Sequence, residues 1–336
     1  MYKHLAANAF TLLIVVVFAV GVAIMWGRGE FASPGPLAET TIVTVEPGDR
    51  LDTVTKRLVD VGAITNPTVF RLAARYTGGD RGLKFGDYEV PEGASMEAIL
   101  DLITSGRSVN YNVTVVEGWT SWQVVQRLLA VDTLQGEVPE IPPEGSLAPN
   151  TYSYNRNDSR QSILDRMAAA QKDILDEAWL YRDPEIPIST KEDALILASI
   201  VEKETGLAEE RPQVASVFVN RLRKGMRLQT DPTVVYGITL GKGSLGRGLR
   251  QSELRGETPY NTYVITGLPP TPIANPGKAA IEAVLNPAQT EYLVFVADGT
   301  GGHAFAKTLP EHNANVKAWR AIEAERAAAR ENEASD

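Results

Sequence analysis

The chain has 336 residues, of which 43% are hydrophobic, and its 33 basic and 42 acidic side chains give a net charge of −9. A chain of this length and composition can bury a sizeable core in about two domains, which excludes an intrinsically disordered protein. The net negative charge argues against a broad surface that binds nucleic acid, because such a surface needs clustered Lys and Arg. The absence of cysteine excludes disulfides, thiolate metal sites and a cysteine nucleophile.

The N-terminal region predicts a membrane anchor at residues 5–27, after a short cytoplasmic segment at 1–4. This run, LAANAFTLLIVVVFAVGVAIMWG, carries no charge. At ~1.5 Å per residue it is long enough to cross a hydrocarbon core of ~30 Å. A cleaved signal peptide is the alternative, and it fits the basic start at Lys3. The anchor is favoured because the run is longer than a usual signal core and Trp26 lies at an interface position. Residues 28–39 are predicted to be a linker.

An internal repeat follows the linker. Each copy reads as a short strand, a turn with a glycine, and a helix whose apolar positions recur four residues apart. The alternative is that small α+β units simply reuse this motif, which explains one copy more easily than three in succession. Modules of this shape loosely resemble LysM modules, which bind the glycan of peptidoglycan, so residues 40–108 are predicted to be a LysM-like module. The copies are VTVEPGDRLDTVTKRL (43–58), YEVPEGASMEAILDLI (88–103) and VTVVEGWTSWQVVQRL (113–128).

A buried helix is predicted over residues 193–206, DALILASIVEKETG, after an amphipathic helix at 162–180. The capping signature at Ser189 and Thr190 marks its start, and Gly206 is expected to end it as a C′ residue. Its interior is apolar on all sides, which is typical of a helix surrounded by core. Carboxylates therefore appear where a buried helix reaches the surface.

Glu202 is the first of these carboxylates. It falls four residues after Ala198 and seven after Leu195, so it stacks on an apolar side of the helix. Burial and the negative end of the helix dipole both favour its protonated form and raise its pKa, as a general acid requires. The alternative is a structural ion pair with Arg211 or Arg221. Lys203 and Glu204 are interpreted as the solvated end of this helix and as a secondary contact with the site.

Three later segments, at 214–237, 258–277 and 291–313, are rich in Asn, Gln, Thr, Tyr and Asp. These side chains suit recognition of sugar hydroxyl and acetamide groups. No paired-histidine metal spacing occurs, because His303 and His312 are nine residues apart, and no cofactor is expected. The stretch GKGSLG at 241–246 matches G-x-G-x-x-G formally, but no dinucleotide-binding helix is predicted after it. It is interpreted as a flexible loop rich in Gly and basic residues.

Four ordered motifs resemble the endolytic murein transglycosylases, the YceG-like family. They are ASIVEKETG, VASVFVNRLRKGMRLQTDPTVVYG, YNTYVITGLPPTPIANPG and YLVFVADGTGGHAFAKT. The resemblance implies an enzyme of the bacterial inner membrane with its catalytic part in the periplasm. It also implies that the first Glu of VEKET, Glu202, is the catalytic residue. The stretch EGSLAPNTY departs from the family pattern at Ala148 and Asn150, which weakens any binding role for that loop.

The implied reaction cleaves the β-1,4 bond between MurNAc and GlcNAc in nascent strands, leaves 1,6-anhydroMurNAc ends and terminates strand elongation. One carboxyl group suffices, because it protonates the glycosidic oxygen and then removes the proton from the C6 hydroxyl. A lysozyme-like hydrolase needs a second carboxylate, for which Asp231, Glu204 and Glu257 are candidates. A non-catalytic glycan-binding scaffold is the third class. The resemblance favours the lytic reaction.

The prediction from the sequence is therefore an α+β, membrane-anchored enzyme with a catalytic domain at 109–322 and a charged tail at 323–336. Peptidoglycan strands are the expected partner, the resemblance allows for peptidoglycan synthases, and no nucleic acid is expected. The alternative for Asp231 is a structural role as a turn or N-cap residue before Pro232. The alternative for His303 is a strand histidine whose hydrogen bonds are made within the protein. Beside Glu202, the expected wall of the site is Gln229, Asp231, Asn261, Tyr263, Asn275 and His303.

Overall fold

The computed structural model describes residues 2–333, so residue 1 and residues 334–336 of the predicted terminal segments lie outside the described residues. Over this range the chain forms twelve α-helices and six strands, and the strands pair as three two-stranded sheets. This mixture confirms the predicted α+β class. The chain divides into two compact units: residues 1–111 with 153–158, and residues 112–152 with 159–336.

Helix α1 (Tyr2–Ala32) is long and apolar enough to cross a membrane over the 25 residues Asn8–Ala32. Its large apolar side chains from Phe10 to Trp26 are exposed, as those of a lipid-facing helix would be. The helix ends five residues after the predicted end at Gly27, so the segment predicted as a linker begins inside it. Phe31 packs against the core of the first unit, which explains why the last turn continues the helix.

The first unit contains two of the three repeat copies. Its strands β1 and β2 are antiparallel, with Thr41 opposite Val90, and its core forms between this sheet and the helices. Residues 153–158 belong to the same unit, where Arg156 pairs with the buried carboxylate of Asp87. Its elements after α1 are β1 (Thr41–Val45), α2 (Leu51–Asp60), α3 (Pro67–Thr77), β2 (Gly86–Val90) and α4 (Met96–Ser105).

All three repeat copies have the predicted order of strand, turn and helix. The turn glycines adopt left-handed backbone conformations, with φ of +86° at Gly48, +65° at Gly93 and +75° at Gly118. Glycine adopts this conformation without the steric penalty of a side chain. The third copy, formed by β3 (Tyr111–Thr114) and α5 (Ser121–Leu129), enters the second unit.

The second unit is mainly helical, and its core forms around α7, α8 and α11. A short hairpin, β5 with β6, pairs Val294 with Ala306. The remaining elements are β4 (Thr151–Tyr154), which pairs with β3, α6 (Arg160–Leu180), α7 (Lys191–Glu204), α8 (Arg211–Arg223), α9 (Asp231–Thr239), α10 (Gln251–Leu254), α11 (Lys278–Leu285), β5 (Val294–Ala297), β6 (His303–Ala306) and α12 (Leu309–Glu333).

Helix α7 is the buried helix that the sequence predicts. The Thr190 hydroxyl accepts a hydrogen bond from the backbone N–H of Asp193 at 3.0 Å, which confirms the predicted cap. The helix is buried on almost all sides, although Leu195 is half-buried. Gly206 does not end it in a left-handed conformation. The helix ends because Thr205 turns to an extended conformation, with φ of −138°.

Candidate active site

The end of α7 places two carboxylates in different surroundings. Glu202 and Glu204 are two residues apart, which corresponds to a rotation of about 200° around an α-helix. They therefore point to opposite sides of the last turn. Burial is the largest influence on each group, and it raises the pKa of both.

Glu202 is held by a cation and a backbone N–H. Its side chain is 4% exposed, and Arg211 Nη2 donates to its Oε1 at 3.2 Å. The N–H of Gly277 donates to its Oε2 at 2.9 Å. Burial raises the pKa of Glu202 and the nearby Glu117 carboxylate adds to the rise, while Gly277 and Arg211 oppose it. The ion pair with Arg211 is the alternative that the sequence left open, and it is present together with the expected rise in pKa.

The turn of the third repeat copy contributes to the surroundings of Glu202. Glu117 accepts a hydrogen bond from Arg211 Nη2 at 3.2 Å, so one guanidinium nitrogen contacts two carboxylates. The carbonyl of Gly118 accepts from Lys203 Nζ at 3.3 Å. A Cβ at Gly277 would lie 2.0 Å from Glu117 Oε1, so a larger residue there would require the Glu117 side chain to move. The repeat thus helps to fix the end of α7.

Glu204 is half-buried and meets a different set of groups. The Thr230 hydroxyl donates a hydrogen bond to its Oε1. Its Oε2 accepts no hydrogen bond from any residue in the described range 2–333. Burial raises the pKa of Glu204 and the Asp231 carboxylate adds to the rise, while Thr230, His303 and Arg221 oppose it. One oxygen of this carboxyl group therefore has no hydrogen-bond donor among the described residues.

Three predicted wall residues lie on the Glu204 side. Asp231 is the first residue of α9, and its Oδ1 accepts a hydrogen bond from the Tyr263 hydroxyl at 2.6 Å. Burial and this neighbour raise the pKa of Tyr263. Gln229 is exposed and left-handed, with φ of +49°, a conformation that is uncommon for a residue with a side chain. Its Oε1 lies 3.5 Å from Arg221 Nη1.

His303 lies in β6 and is fixed by Glu210. Its backbone N–H donates to Glu210 Oε1 at 2.8 Å, and its Nδ1 lies 2.7 Å from Oε2 of the same carboxylate. The Thr205 hydroxyl also donates to Glu210, at 3.3 Å. Glu210 therefore connects the residue after α7 to the hairpin. His303 has a partner, as the alternative from the sequence proposed, and it also acts electrostatically on Glu204.

Asn261 is fully buried and stabilises a loop. Its side-chain amide donates to the carbonyls of Glu253, Leu254 and Gly256 at 3.2, 3.2 and 2.6 Å. Its Oδ1 accepts the backbone N–H of Tyr263 at 3.0 Å. Asn261 thus positions the segment that carries Tyr263 and exposes no atom of its own to a ligand.

Asn275 is also fully buried and joins three segments. Its Oδ1 accepts the N–H of Leu147 at 3.0 Å, and its Nδ2 donates to the Trp119 carbonyl at 3.0 Å and the Ser121 hydroxyl at 3.2 Å. Its own backbone pairs with the turn of the third copy, since the Gly118 N–H donates to the Asn275 carbonyl at 3.0 Å. This places Gly277 next to Glu202.

A cavity of about 450 Å³ lies between the start of α5, α9 and the glycine-rich loop, with Lys203 and Asp231 in its wall. Lys203 lies between Glu202 and Glu204 in the sequence, and neither of these two carboxylates lines the cavity itself. Pockets that bind ligands usually measure about 300–1,000 Å³. Within the described part of the chain, no group of three or more His, Asp or Glu side chains could hold a metal ion.

The sequence groups the six predicted wall residues with Glu202, and that grouping stays a prediction. In the structure, Asp231 and His303 also influence the ionisation of Glu204. The roles of Glu210 and Glu117 were missed, because each contact joins residues about ninety apart. One signal was available: both carboxylates stand in one VEKET stretch, and the helical period places them on opposite sides.

Comparison with known proteins places this geometry in a family. The model of the YceG-like family matches residues 43–318. An endolytic murein transglycosylase of Bacillus subtilis is 30% identical over 326 residues, covering 88% of this chain and 89% of its own. One of Streptococcus pneumoniae is 28% identical over 325 residues, covering 82% of this chain and 57% of its own.

A solved structure agrees with these matches. The crystal structure of a yceG-like protein from Listeria monocytogenes at 2.6 Å superposes with a TM-score of 0.51 and 29% identity. The similarity covers 82% of this chain and 98% of that one. The family match spans well over half of the sequence and includes both carboxylates at the end of α7. The resemblance seen in the four motifs is thereby confirmed, and the chain belongs to the YceG-like family.

Proposed function

We propose that this protein is an endolytic murein transglycosylase, a lyase that cleaves the β-1,4 bond between MurNAc and GlcNAc in nascent peptidoglycan. The names of the Bacillus and Streptococcus relatives support the activity. The observation that carries the mechanism is the partly buried carboxyl group of Glu204, which has a raised pKa and one oxygen without a hydrogen-bond donor among residues 2–333.

Glu204 is the acid and base of this proposal. A general acid must hold a proton near neutral pH and must reach the substrate with an oxygen. Burial and the charge of Asp231 raise the pKa of Glu204, and its Oε2 accepts no hydrogen bond within residues 2–333. Thr230 fixes Oε1, so the carboxyl group is oriented while Oε2 is available to the substrate.

The resemblance assigned this role to Glu202, and that assignment stays a prediction. Both of its oxygens have donors, Arg211 on Oε1 and the Gly277 N–H on Oε2. Such a carboxylate suits the fixing of loops better than the delivery of a proton. The two residues can be separated by experiment because they face different groups.

The steps follow from a single carboxyl group. Protonated Glu204 gives its proton to the glycosidic oxygen as the C1–O4 bond breaks, and C1 of MurNAc becomes positively charged. The Glu204 carboxylate then removes the proton from the C6 hydroxyl, whose oxygen forms the new bond to C1. The product ends in 1,6-anhydroMurNAc, and no water is consumed. The exposed Asp231 carboxylate, aligned by Tyr263, supplies negative charge near the developing cation.

Hydrolysis is the second candidate, and one observation favours it. Asp231 is close enough to Glu204 to influence its ionisation, so two carboxylates share the site. A pair of carboxyl groups on opposite sides of a glycosidic bond is the usual arrangement of a hydrolase. In that case Asp231 would activate water or bond to C1, and the product would carry a reducing MurNAc end.

Mass spectrometry of digested strands tests the proposal. Purified wild-type protein should release fragments that end in 1,6-anhydroMurNAc. Fragments heavier by one water would establish hydrolysis instead. Glu204→Gln keeps the shape of the side chain but cannot transfer a proton, so it should release neither product. Glu202→Gln is the matched variant two residues away. If only Glu202→Gln abolishes cleavage, the acid is Glu202.

For location, we propose that α1 is a single-pass anchor in the bacterial inner membrane and that the rest of the chain lies in the periplasm. The length and exposed apolar surface of α1 support the anchor. The protein should stay in the membrane fraction through high-salt and carbonate washes. A soluble mature chain that starts near Ser33 would show a cleaved signal instead.

For the first unit, we propose a glycan-binding role of the LysM-like kind for residues 40–108. The order strand, helix, helix, strand with antiparallel strands supports it. Deletion of this segment should weaken binding to sacculi while cleavage of short glycans persists. Unfolding of the shortened protein would show that the segment is not separable, since Arg156 would lose Asp87. Synthases of peptidoglycan are proposed as accompanying partners, testable by co-purification.

A further inference from the structure

The glycine-rich stretch GKGSLG has no role in the mechanism above, yet it forms part of the cavity whose wall includes Lys203 and Asp231. The first residue of this stretch is held in place, because the Thr120 hydroxyl donates a hydrogen bond to the Gly241 carbonyl at 2.6 Å. Gly241 has φ of +72°, and a Cβ there would lie 3.0 Å from Thr120 Cγ2 and 3.1 Å from Glu144 Oε1. The loop therefore leaves α9 in a defined position.

Beyond that point the loop presents unused hydrogen-bond donors. Over the described chain, the backbone N–H groups of residues 243–249 donate to no protein acceptor. Residues 243–247 line the cavity. Gly243 has no other atom within 4 Å of the position of a Cβ, so a ligand can approach its backbone closely. Consecutive free N–H groups form a favourable surface for an anion.

The charges around the loop also favour the binding of an anion. Residues 241–250, GKGSLGRGLR, contain Lys242, Arg247 and Arg250 and no acidic residue, in a chain with a net charge of −9. Arg247 is paired with Glu253, at 2.6 Å, which neutralises it. The exposed Lys203 adds an ammonium group to the cavity wall. The positive excess therefore comes from Lys203, Lys242 and the backbone.

The carboxyl groups of Asp231 and Glu144 lie near the cavity and affect the net charge around it. Asp231 is in the wall, where its Oδ1 accepts the Tyr263 hydroxyl. Glu144 lies under the loop, where burial raises its pKa and its Oε2 accepts the Ser121 N–H at 2.9 Å. Asp231 and residues 243–247 both line the cavity, and an anion would bind at the free N–H groups of the loop.

We propose that this loop and Lys203 form a carboxylate-binding subsite for the arm that MurNAc carries at O3. The inference rests on the proposed function and adds what the site recognises beside the scissile bond. The arm of MurNAc is a lactyl group, either free as a carboxylate or extended by the stem peptide with carboxylates of its own. GlcNAc has no such arm, so the subsite would set which sugar lies on which side of Glu204.

Three substrates test the proposal on the full-length protein. They are uncrosslinked peptide-bearing strands, the same strands with their carboxylates converted to primary amides, and strands whose peptides have been removed by an amidase. Wild-type kcat/KM should fall about tenfold on amidation, mainly through KM, because a charge-assisted contact is lost. This preference should weaken at high salt. Strands with the bare lactyl carboxylate distinguish the sources: full activity indicates the lactyl group, and low activity indicates the stem peptide.

The variant Lys203→Gln/Lys242→Gln should reduce the preference for carboxylate over amide to about twofold or less. Lys172→Gln, which removes a paired and exposed lysine of α6, is the control and should keep the preference. Equal wild-type rates on all three substrates would overturn the subsite, as would a double variant that slows all substrates equally. Failure of the proposed function looks different, since the wild-type protein would then cleave none of the three.

Discussion

Glu202 and Glu204 show how one helical turn can give two carboxylates different tasks. Both oxygens of Glu202 accept hydrogen bonds, from Arg211 and a backbone N–H, whereas Glu204 has one hydroxyl donor and one oxygen without a donor among the described residues. Burial raises the pKa of both. A raised pKa therefore does not by itself identify an acid, and the number of donors already on the oxygens separates the two residues.

The largest expected effect is on catalysis by Glu204. Glu204→Gln should lower kcat by about 10⁴-fold, the upper end for a general acid or base, because one residue fills both roles. Folding and binding to strands should persist, since the amide keeps the shape and one oxygen. Rates on purified strands and circular dichroism measure the two parts.

Glu202→Gln is the matched control. It should lower kcat by about tenfold or less, because its expected role is to fix Arg211 and the Gly277 backbone. A reversed order of the two variants would contradict the division between the carboxylates and would make Glu202 the acid.

Arg211→Met should reduce stability by about 3 kcal/mol, because removing one partner leaves a buried charge without compensation. Arg211 also loses its contact with Glu117, and its Nε has no partner within the described residues, so the guanidinium is not fully satisfied even now. Urea denaturation measures the free energy of unfolding. The double variant Arg211→Met/Glu202→Gln should recover part of the loss. No recovery would show that Arg211 stabilises by packing alone.

Thr230→Val should change the pH dependence of catalysis more than its maximum rate. The Thr230 hydroxyl stabilises the charged form of Glu204 and lowers its pKa, so its removal raises that pKa further. The acid then stays protonated to higher pH, and the alkaline limb of kcat/KM should shift upward. Thr104→Val, which removes a hydroxyl bonded within α4 in the first unit, is the control. An unchanged limb would mean that Glu204 is not the titrating acid.

The smallest expected effect is on stability as a function of pH. The pKa of Glu204 is raised by folding, so the folded state binds its proton more tightly than the unfolded state. Its contribution to stability is therefore present at low pH and is lost as pH rises through the folded pKa. Glu204→Gln should be slightly more stable than wild type at neutral pH, with a flatter dependence. Parallel urea titrations across this range measure the slope, and an identical slope would contradict the raised pKa.

Local patterns predicted the elements well. The three strand–turn–helix copies, the cap at Thr190 and the burial of α7 all follow from residues close in sequence, where period and turn chemistry decide the structure. The predicted anchor ends at Gly27 because the uncharged run stops before Arg28, whereas the helix itself continues to Ala32 and Phe31 packs against the core of the first unit. The end at Thr205 was likewise misassigned to Gly206.

The site was predictable in composition and less so in arrangement. The sequence named the residues around the end of α7, but Asn261 and Asn275 are buried loop supports, a role that depends on which carbonyls the fold brings near them. The pairing of Glu210 with His303 joins residues 93 apart. No local pattern encodes such a contact, because tertiary structure creates it.

The buried amide of Asn275 has a consequence for the lifetime of the protein. Asparagine side chains deamidate in ageing proteins when the next backbone nitrogen attacks the amide carbon and forms a succinimide. Residue 276 is proline, which has no N–H, so this ring closure is blocked. Conversion to aspartate would set a carboxylate against the Trp119 carbonyl that now accepts from Nδ2. The Asn-Pro order therefore protects the junction of three segments from chemical damage.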